Sequence, residues 1–170
     1  MSVLFLKSKT TAYTLTTGYV LTQVTDVDYP GSTTRGCAVI GGRAIVMTPV
    51  GEIYQSAIED ASSWVSTEFI GSQQDAFAGV YLAKYQEYIV AFRQYATEFY
   101  FNDANNTTGS ILSPVPNMYF KIGAAHENAV KEMAGTIVWL GQTQDGFGRG
   151  IYRLNGTQPE KISTTQIDKI

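Results

Sequence analysis

Apolar residues along this chain fall in short runs of four to six, many of them β-branched or aromatic, separated by Gly, Asn, Asp, Ser and Pro. VLFLK, AYTLT, CAVIG, AIVMT, GVYLAK, YIVAFR, TEFYFN, TIVWLG and RGIYRL are examples. A helix would place its apolar residues three and four apart over a longer window, so these runs predict strands. Fifteen are expected, at 3–7, 12–16, 20–24, 37–41, 44–48, 52–56, 65–69, 79–84, 88–93, 97–102, 118–122, 130–134, 136–141, 149–154 and 159–163.

Three segments lie over one another: GGRAIVMTPVGEIYQSA (41–57), YQEYIVAFRQYATEFYFN (85–102) and EMAGTIVWLGQTQDGFGRGIYRLNG (132–156). Each has an Ile-Val pair, a polar or glycine break and a second, aromatic-bearing strand. The pairs begin at 45, 89 and 137, giving spacings of 89 − 45 = 44 and 137 − 89 = 48. A repeat of about 40–50 residues with several strands per unit predicts an all-β fold, a β-propeller of four-stranded antiparallel blades.

The strands group as three, four, four and four, with blades near 1–30, 37–70, 79–122 and 130–163 in a single domain or segment spanning 1–170. The arrangement is therefore three full blades plus a partial one. The first blade lacks a strand, expected to be its innermost. Either the chain is a piece of a larger ring, or the tail TTQIDKI (164–170) returns to supply that strand. DANNTTGSILSPVPN, between Asn102 and Met118, predicts a long loop that cannot pack as sheet, either a tolerated insertion or a contact surface. IGAAHENAV (122–130) is expected to hold a short helical turn.

Composition narrows the possible chemistry. Only 16% of residues are charged, the formal net charge is -3, and no Lys/Arg cluster stands out, which argues against a dedicated nucleic-acid groove. A single cysteine, Cys37, forms no internal disulfide and is expected to be a small core residue. No run approaches the ~20 apolar residues that span a bilayer, and MSVLFLKSKT is too short in apolar residues for a signal peptide. The expected setting is soluble and reducing, which makes the sequons at Asn105, Asn106 and Asn155 chance matches.

With one histidine, His126, a metal site or catalytic dyad has too few ligands, and a surface role is expected. Asp26 and Asp28, just before Tyr-Pro-Gly, predict side chains that bind their own turn, since calcium would need more oxygen ligands. In SAIEDASSWVS (56–66), Asp60, Ser62, Ser63 and Trp64 resemble the structural Asp-box hairpin of sialidase-like propellers, one residue short and without its glycine. Glu98 is the most interesting carboxylate, expected either to point outward beside an inward Phe99 or to be buried on a strand amide. Arg35, Arg43, Arg93, Arg149 and Arg153 do not recur at matching blade positions, and GFGRG (146–150) is hairpin punctuation. No catalytic, cofactor-binding or metal-binding residue is assigned, and no cofactor is expected.

From about Gly18 onward the chain resembles the packaged DNA stabilisation proteins of short-tailed phages, the head-completion or tail accessory factors. The resembling stretches are GYVLTQVTDVDYPG (18–31), GEIYQSAIEDASSW (51–64), the Ala-Thr-Glu-Phe-Tyr core of 96–100, TIVWLGQTQDG (136–146) and GRGIYRLNGTQPEKIST (148–164). The resemblance implies a virion structural protein of the tail and portal vertex, without enzymatic activity and assembled in the host cytoplasm. It implies a ring-shaped homo-oligomer, expected to be a hexamer, that closes the portal channel with the portal adaptor, tail needle and tailspike as neighbours. Family members are much longer, and this chain looks like a propeller segment from their middle. Neither a membrane nor a specific nucleic-acid contact is expected for it. The rival reading is a carbohydrate-binding or glycan-active propeller module, marked by a concave site with aromatics and two or more carboxylates.

Overall fold

A computed structural model describes residues 3–72, 74–103 and 109–169. Four antiparallel sheets follow one another in chain order and form the blades of a four-bladed β-propeller. Sheet one holds β1 (Val3–Lys7), β2 (Ala12–Thr16) and β3 (Leu21–Gln23) in that order. Sheet two holds β4 (Ala38–Ile40), β5 (Arg43–Met47), β6 (Ile53–Ala57) and β7 (Asp60–Ile70). Sheet three holds β8 (Gly79–Tyr85), β9 (Tyr88–Arg93), β10 (Thr97–Asn102) and β11 (Leu112–Phe120). In sheet four, β12 (Gly123–Ala124) and β13 (Val130–Met133) share one side of β14 (Thr136–Gln142), followed by β15 (Gly150–Asn155) and β16 (Gln158–Lys161). A 3-10 turn, Glu127–Ala129, separates β12 from β13, where the sequence predicted a helical turn.

Hairpin register corrects the sequence repeat by one residue. The innermost hairpins close on Ile40↔Arg43, Tyr85↔Tyr88 and Met133↔Thr136. Arg43, Tyr88 and Thr136 are therefore equivalent. Ile45 then corresponds to Val90 and Val138, whereas Ala44 corresponds to Ile89 and Ile137. A slip of one residue turns a strand's side chains to the opposite face, and the cores follow the corrected register. Ile45 and Met47 pack with Ile89 and Ala91 between sheets two and three. Val90 and Phe92 pack with Ile137 and Trp139 between sheets three and four. Ala44 and Val46 meet Phe5, Ala12 and Trp64 between sheets one and two.

Sheet one has three described strands, and β1 occupies a second-strand position. Its turn into β2 meets the segment entering sheet two, where the Thr33 amide donates to Lys9 O at 2.7 Å. The Thr34 amide beside it donates to Met47 O, the end of β5, also at 2.7 Å. The tail does not complete this sheet. Ile167–Lys169 forms a 3-10 turn on sheet four, where Asp168 takes an ion pair from Lys161 at 2.6 Å and a hydrogen bond from Ser163.

Close approach near the axis explains two glycines. A Cβ on Gly79 would lie 2.4 Å from Thr48 O of sheet two, and one on Gly123 would lie 2.3 Å from Arg93 O of sheet three. Both sit at the entry of an innermost strand, 123 − 79 = 44 residues apart.

The predicted loop before Met118 needs correcting. Leu112–Phe120 is a strand despite Pro114 and Pro116, with Asn102↔Leu112, Phe101↔Ser113 and Tyr100↔Pro114 in register. β11 is the outer edge of its sheet, where a residue without an amide hydrogen loses no partner on the open side. Residues 109–111 are held by the buried Gln55 of sheet two. Its Nε2 donates to Gly109 O at 3.1 Å and to Glu68 Oε2 at 2.9 Å, while its Oε1 accepts from the Ile111 amide at 2.8 Å. Gln55→Ala should leave buried groups without partners and cost about 1–3 kcal/mol. Urea denaturation would measure that loss, and faster amide exchange at Ile111 would localise it.

Candidate functional site

The most concentrated polar chemistry lies inside sheet three, where both faces are covered by neighbours. Arg93 ends β9, and Glu98 and Tyr100 share one face of β10; all three are buried. The Tyr100 hydroxyl donates to Glu98 Oε2 at 2.6 Å. Arg93 Nε lies 3.7 Å from the same oxygen, an ion pair too long for a hydrogen bond. The guanidinium also donates, at 3.4 Å each, to Phe77 O and to the Tyr100 oxygen. Glu98 is thus buried together with Phe99, on a phenol and a guanidinium instead of a strand amide. Its partners are committed to joining elements, which leaves the carboxylate no open face for a substrate.

Burial first, then the Glu98 charge, raises the Tyr100 phenol well above its ordinary value. A group raised in the folded state contributes stability that is intact below its unfolded pKa and is lost as pH climbs above it. Stability should therefore fall as pH rises past about 10, where the unfolded tyrosine releases its proton and the folded one does not. Urea midpoints from pH 8 to 11 test this, and Tyr100→Phe should flatten the alkaline slope.

The other singled-out residues serve turns and junctions. Asp26 accepts from the Asp28 amide at 2.9 Å, as its turn predicted, and its second oxygen accepts from the Trp64 amide of β7 at 2.9 Å. These two amides hold its carboxyl below the usual range. Asp60 accepts from the Ser62 amide at 2.9 Å, and Trp64 is buried edge-on against Tyr29 with centroids 5.0 Å apart. His126 is exposed and caps the Glu127–Ala129 turn, its Nδ1 accepting from the Asn128 amide at 3.1 Å. In the β14–β15 turn Asp145 accepts from the Phe147 amide at 3.0 Å, and Phe147 is exposed. Asn105 and Asn106 lie outside the described residues.

Cys37 corrects an expectation. It is exposed, because the innermost strand starts one residue later at Ala38 and Cys37 lies beside the uncovered side of β1. Arg93 was missed as a functional group. Its only sequence signal is an arginine ending an otherwise apolar strand, five residues before a carboxylate flanked by aromatics.

Two of the surface clefts bear on a possible binding role. One, of about 460 Å³, is lined by Asp75, Phe77, Tyr95, Lys121, Thr143 and Asp145 among others, with Phe77 and Tyr95 edge to face at 5.4 Å. Its carboxylates are engaged, Asp75 by the Tyr119 hydroxyl and Asp145 by its own turn. The second lies along β1, between Leu6, Lys7 and Ser8 and the Gly36–Cys37 approach to sheet two. No group of three or more His, Cys, Asp or Glu side chains is placed to hold a metal ion among the described residues.

Repeated sheets whose buried polar groups fasten one element to the next define a structural β-propeller. The family model described as Bacteriophage P22 Gp10, beta-propeller, matches residues 2–170. The chain belongs to this family: it is a phage structural protein of the packaged-DNA stabilisation class and a component of the virion. No curated protein matches it. Among solved structures it is similar to PorZ, a bacterial surface component of the type-IX secretion system of Porphyromonas gingivalis, at 11% identity and a TM-score of 0.49. That match covers 94% of this chain and 20% of PorZ, so the chain spans about a fifth of that protein's length.

Proposed function

We propose that this chain is a rigid, non-enzymatic part of the assembly that closes the portal channel after packaging and keeps DNA from leaking. The observation that carries the reading is the family match over residues 2–170. Packing of successive blades against one another supports it, because a sheet covered on both faces resists deformation. The commitment of Glu98 to Arg93 and Tyr100 supports a non-catalytic role. A formal net charge of -3 limits adhesion to DNA passing nearby. In this reading the chain acts within one propeller domain of a ring-shaped homo-oligomer, a hexamer, assembled in the host cytoplasm. Its neighbours are the portal adaptor, tail needle and tailspike. The test is a phage whose copy of this reading frame is interrupted. Its particles should package DNA and then lose it, and particles that keep their DNA would overturn the proposal.

A second reading, glycan binding, is favoured by the Asp75–Tyr95 cleft, which combines two aromatics with two carboxylates. A glycan array separates the two. Binding that Tyr95→Ala abolishes would support a sugar site, and no binding leaves the cleft as surface relief.

A further inference from the structure

The cleft beside Asp75 and Tyr95 opens between sheets three and four, and its walls are fixed by the protein itself. The chain leading into β8 supplies Asp75 and Phe77, the β9–β10 turn supplies Tyr95, and the β14–β15 turn supplies Gln144 and Asp145. Lys121, just past the end of β11, completes the rim. The two turns are tied together, because Gln142 Nε2 donates to Gln94 O at 3.0 Å. Gln94 in its turn donates from Nε2 to the Tyr95 hydroxyl at 3.1 Å, which restrains the ring.

The buried cluster of sheet three bears on the same cleft from inside the fold. Arg93 donates to Phe77 O at 3.4 Å, and Phe77 meets Tyr95 edge to face. Tyr119, the register partner of Glu98, donates its hydroxyl to Asp75 Oδ2. Asp145 is held through Oδ1 by the Phe147 amide. Each carboxylate is thus anchored through one oxygen and keeps acceptor capacity on the other. Anchored acceptors beside an aromatic pair form a preorganised site, and a volume of about 460 Å³ is in the range of small-ligand pockets.

A pyranose ring carries a patch of C–H groups on one face and hydroxyls around its rim. The patch matches an aromatic side chain, and the hydroxyls make charge-assisted bonds to carboxylate oxygens. Two carboxylates of the cleft stand against one ammonium, so a sugar bearing its own carboxylate or sulfate meets net repulsion. We infer that the cleft binds an uncharged pyranose residue of a glycan chain, stacked on the Tyr95 ring with its hydroxyls donating to Asp75 and Asp145. Tyr119 is a positioning residue that holds Asp75 in the wall. This inference rests on the glycan reading of the cleft and adds the class of sugar.

The test is calorimetric titration of the full chain with mannan, dextran and galactan as uncharged probes and with hyaluronan and polysialic acid as acidic ones. At least one uncharged probe should bind about tenfold more tightly than either acidic one. Tyr95→Phe should keep that affinity and Tyr95→Ala should lose it. Tyr119→Phe should weaken the uncharged probe about tenfold and leave the acidic ones unchanged, a split that general loosening of β11 would not give. Tighter binding of an acidic probe, lost in Tyr95→Ala, would overturn the uncharged class and leave the glycan reading standing. Undiminished binding by Tyr95→Ala would place the sugar elsewhere and overturn the inference. No binding of any probe would overturn both the inference and the reading beneath it.

Discussion

Glu98→Ala is expected to lower stability by about 3–5 kcal/mol, because it strands the Arg93 charge in the interior. Arg93 has almost no contact with water, and its Nε has no hydrogen-bond partner even in the intact protein. Without the carboxylate the guanidinium would keep only its contacts of 3.4 Å to Phe77 O and the Tyr100 oxygen. Glu98→Gln should be milder, since the amide oxygen can still accept from Tyr100 while the charge is lost. Chemical denaturation monitored by tryptophan fluorescence would compare the three proteins. A loss below 1 kcal/mol for Glu98→Ala would mean that water reaches Arg93 and that the cluster is not sealed.

Trp139→Ala should be comparably damaging, about 3–5 kcal/mol, through the cavity it leaves between sheets three and four. Its ring meets Phe92 at 5.1 Å, tilted by 62°, and stacks on Tyr152 at 5.8 Å. The indole Nε1 is buried without a hydrogen-bond partner. Trp139→Phe should therefore be far gentler than the alanine change, because it keeps much of the packing and removes an uncompensated donor. Melting temperatures of the two variants give the ranking, and near-equal losses would show that the aromatic contacts contribute little.

How much of this was legible in the sequence depended on which property carried the signal. The Ile-Val pairs do mark the second strand of three blades, because that strand is covered on both faces and must be apolar throughout. Their alignment was still wrong by one residue in sheet two, since identical letters say nothing about which face they occupy. There the Gly41-Gly42 turn settles the register. Pro114 and Pro116 disguised β11 because strand propensity treats every strand alike, although an edge strand tolerates a missing amide hydrogen. The Asp26 turn was readable locally, but its second bond to the Trp64 amide spans 38 residues and had no local signature. Arg93 was hidden for the same reason: a buried charge becomes intelligible only with the partner that the fold brings to it.

The Asp103 amide donates to Ile111 O at 2.7 Å, and Gln55 grips the chain entering β11 from the neighbouring blade. Sheets two and three are therefore riveted by side-chain bonds as well as by their shared apolar core. Local opening of either blade should release amides of both in one cooperative step.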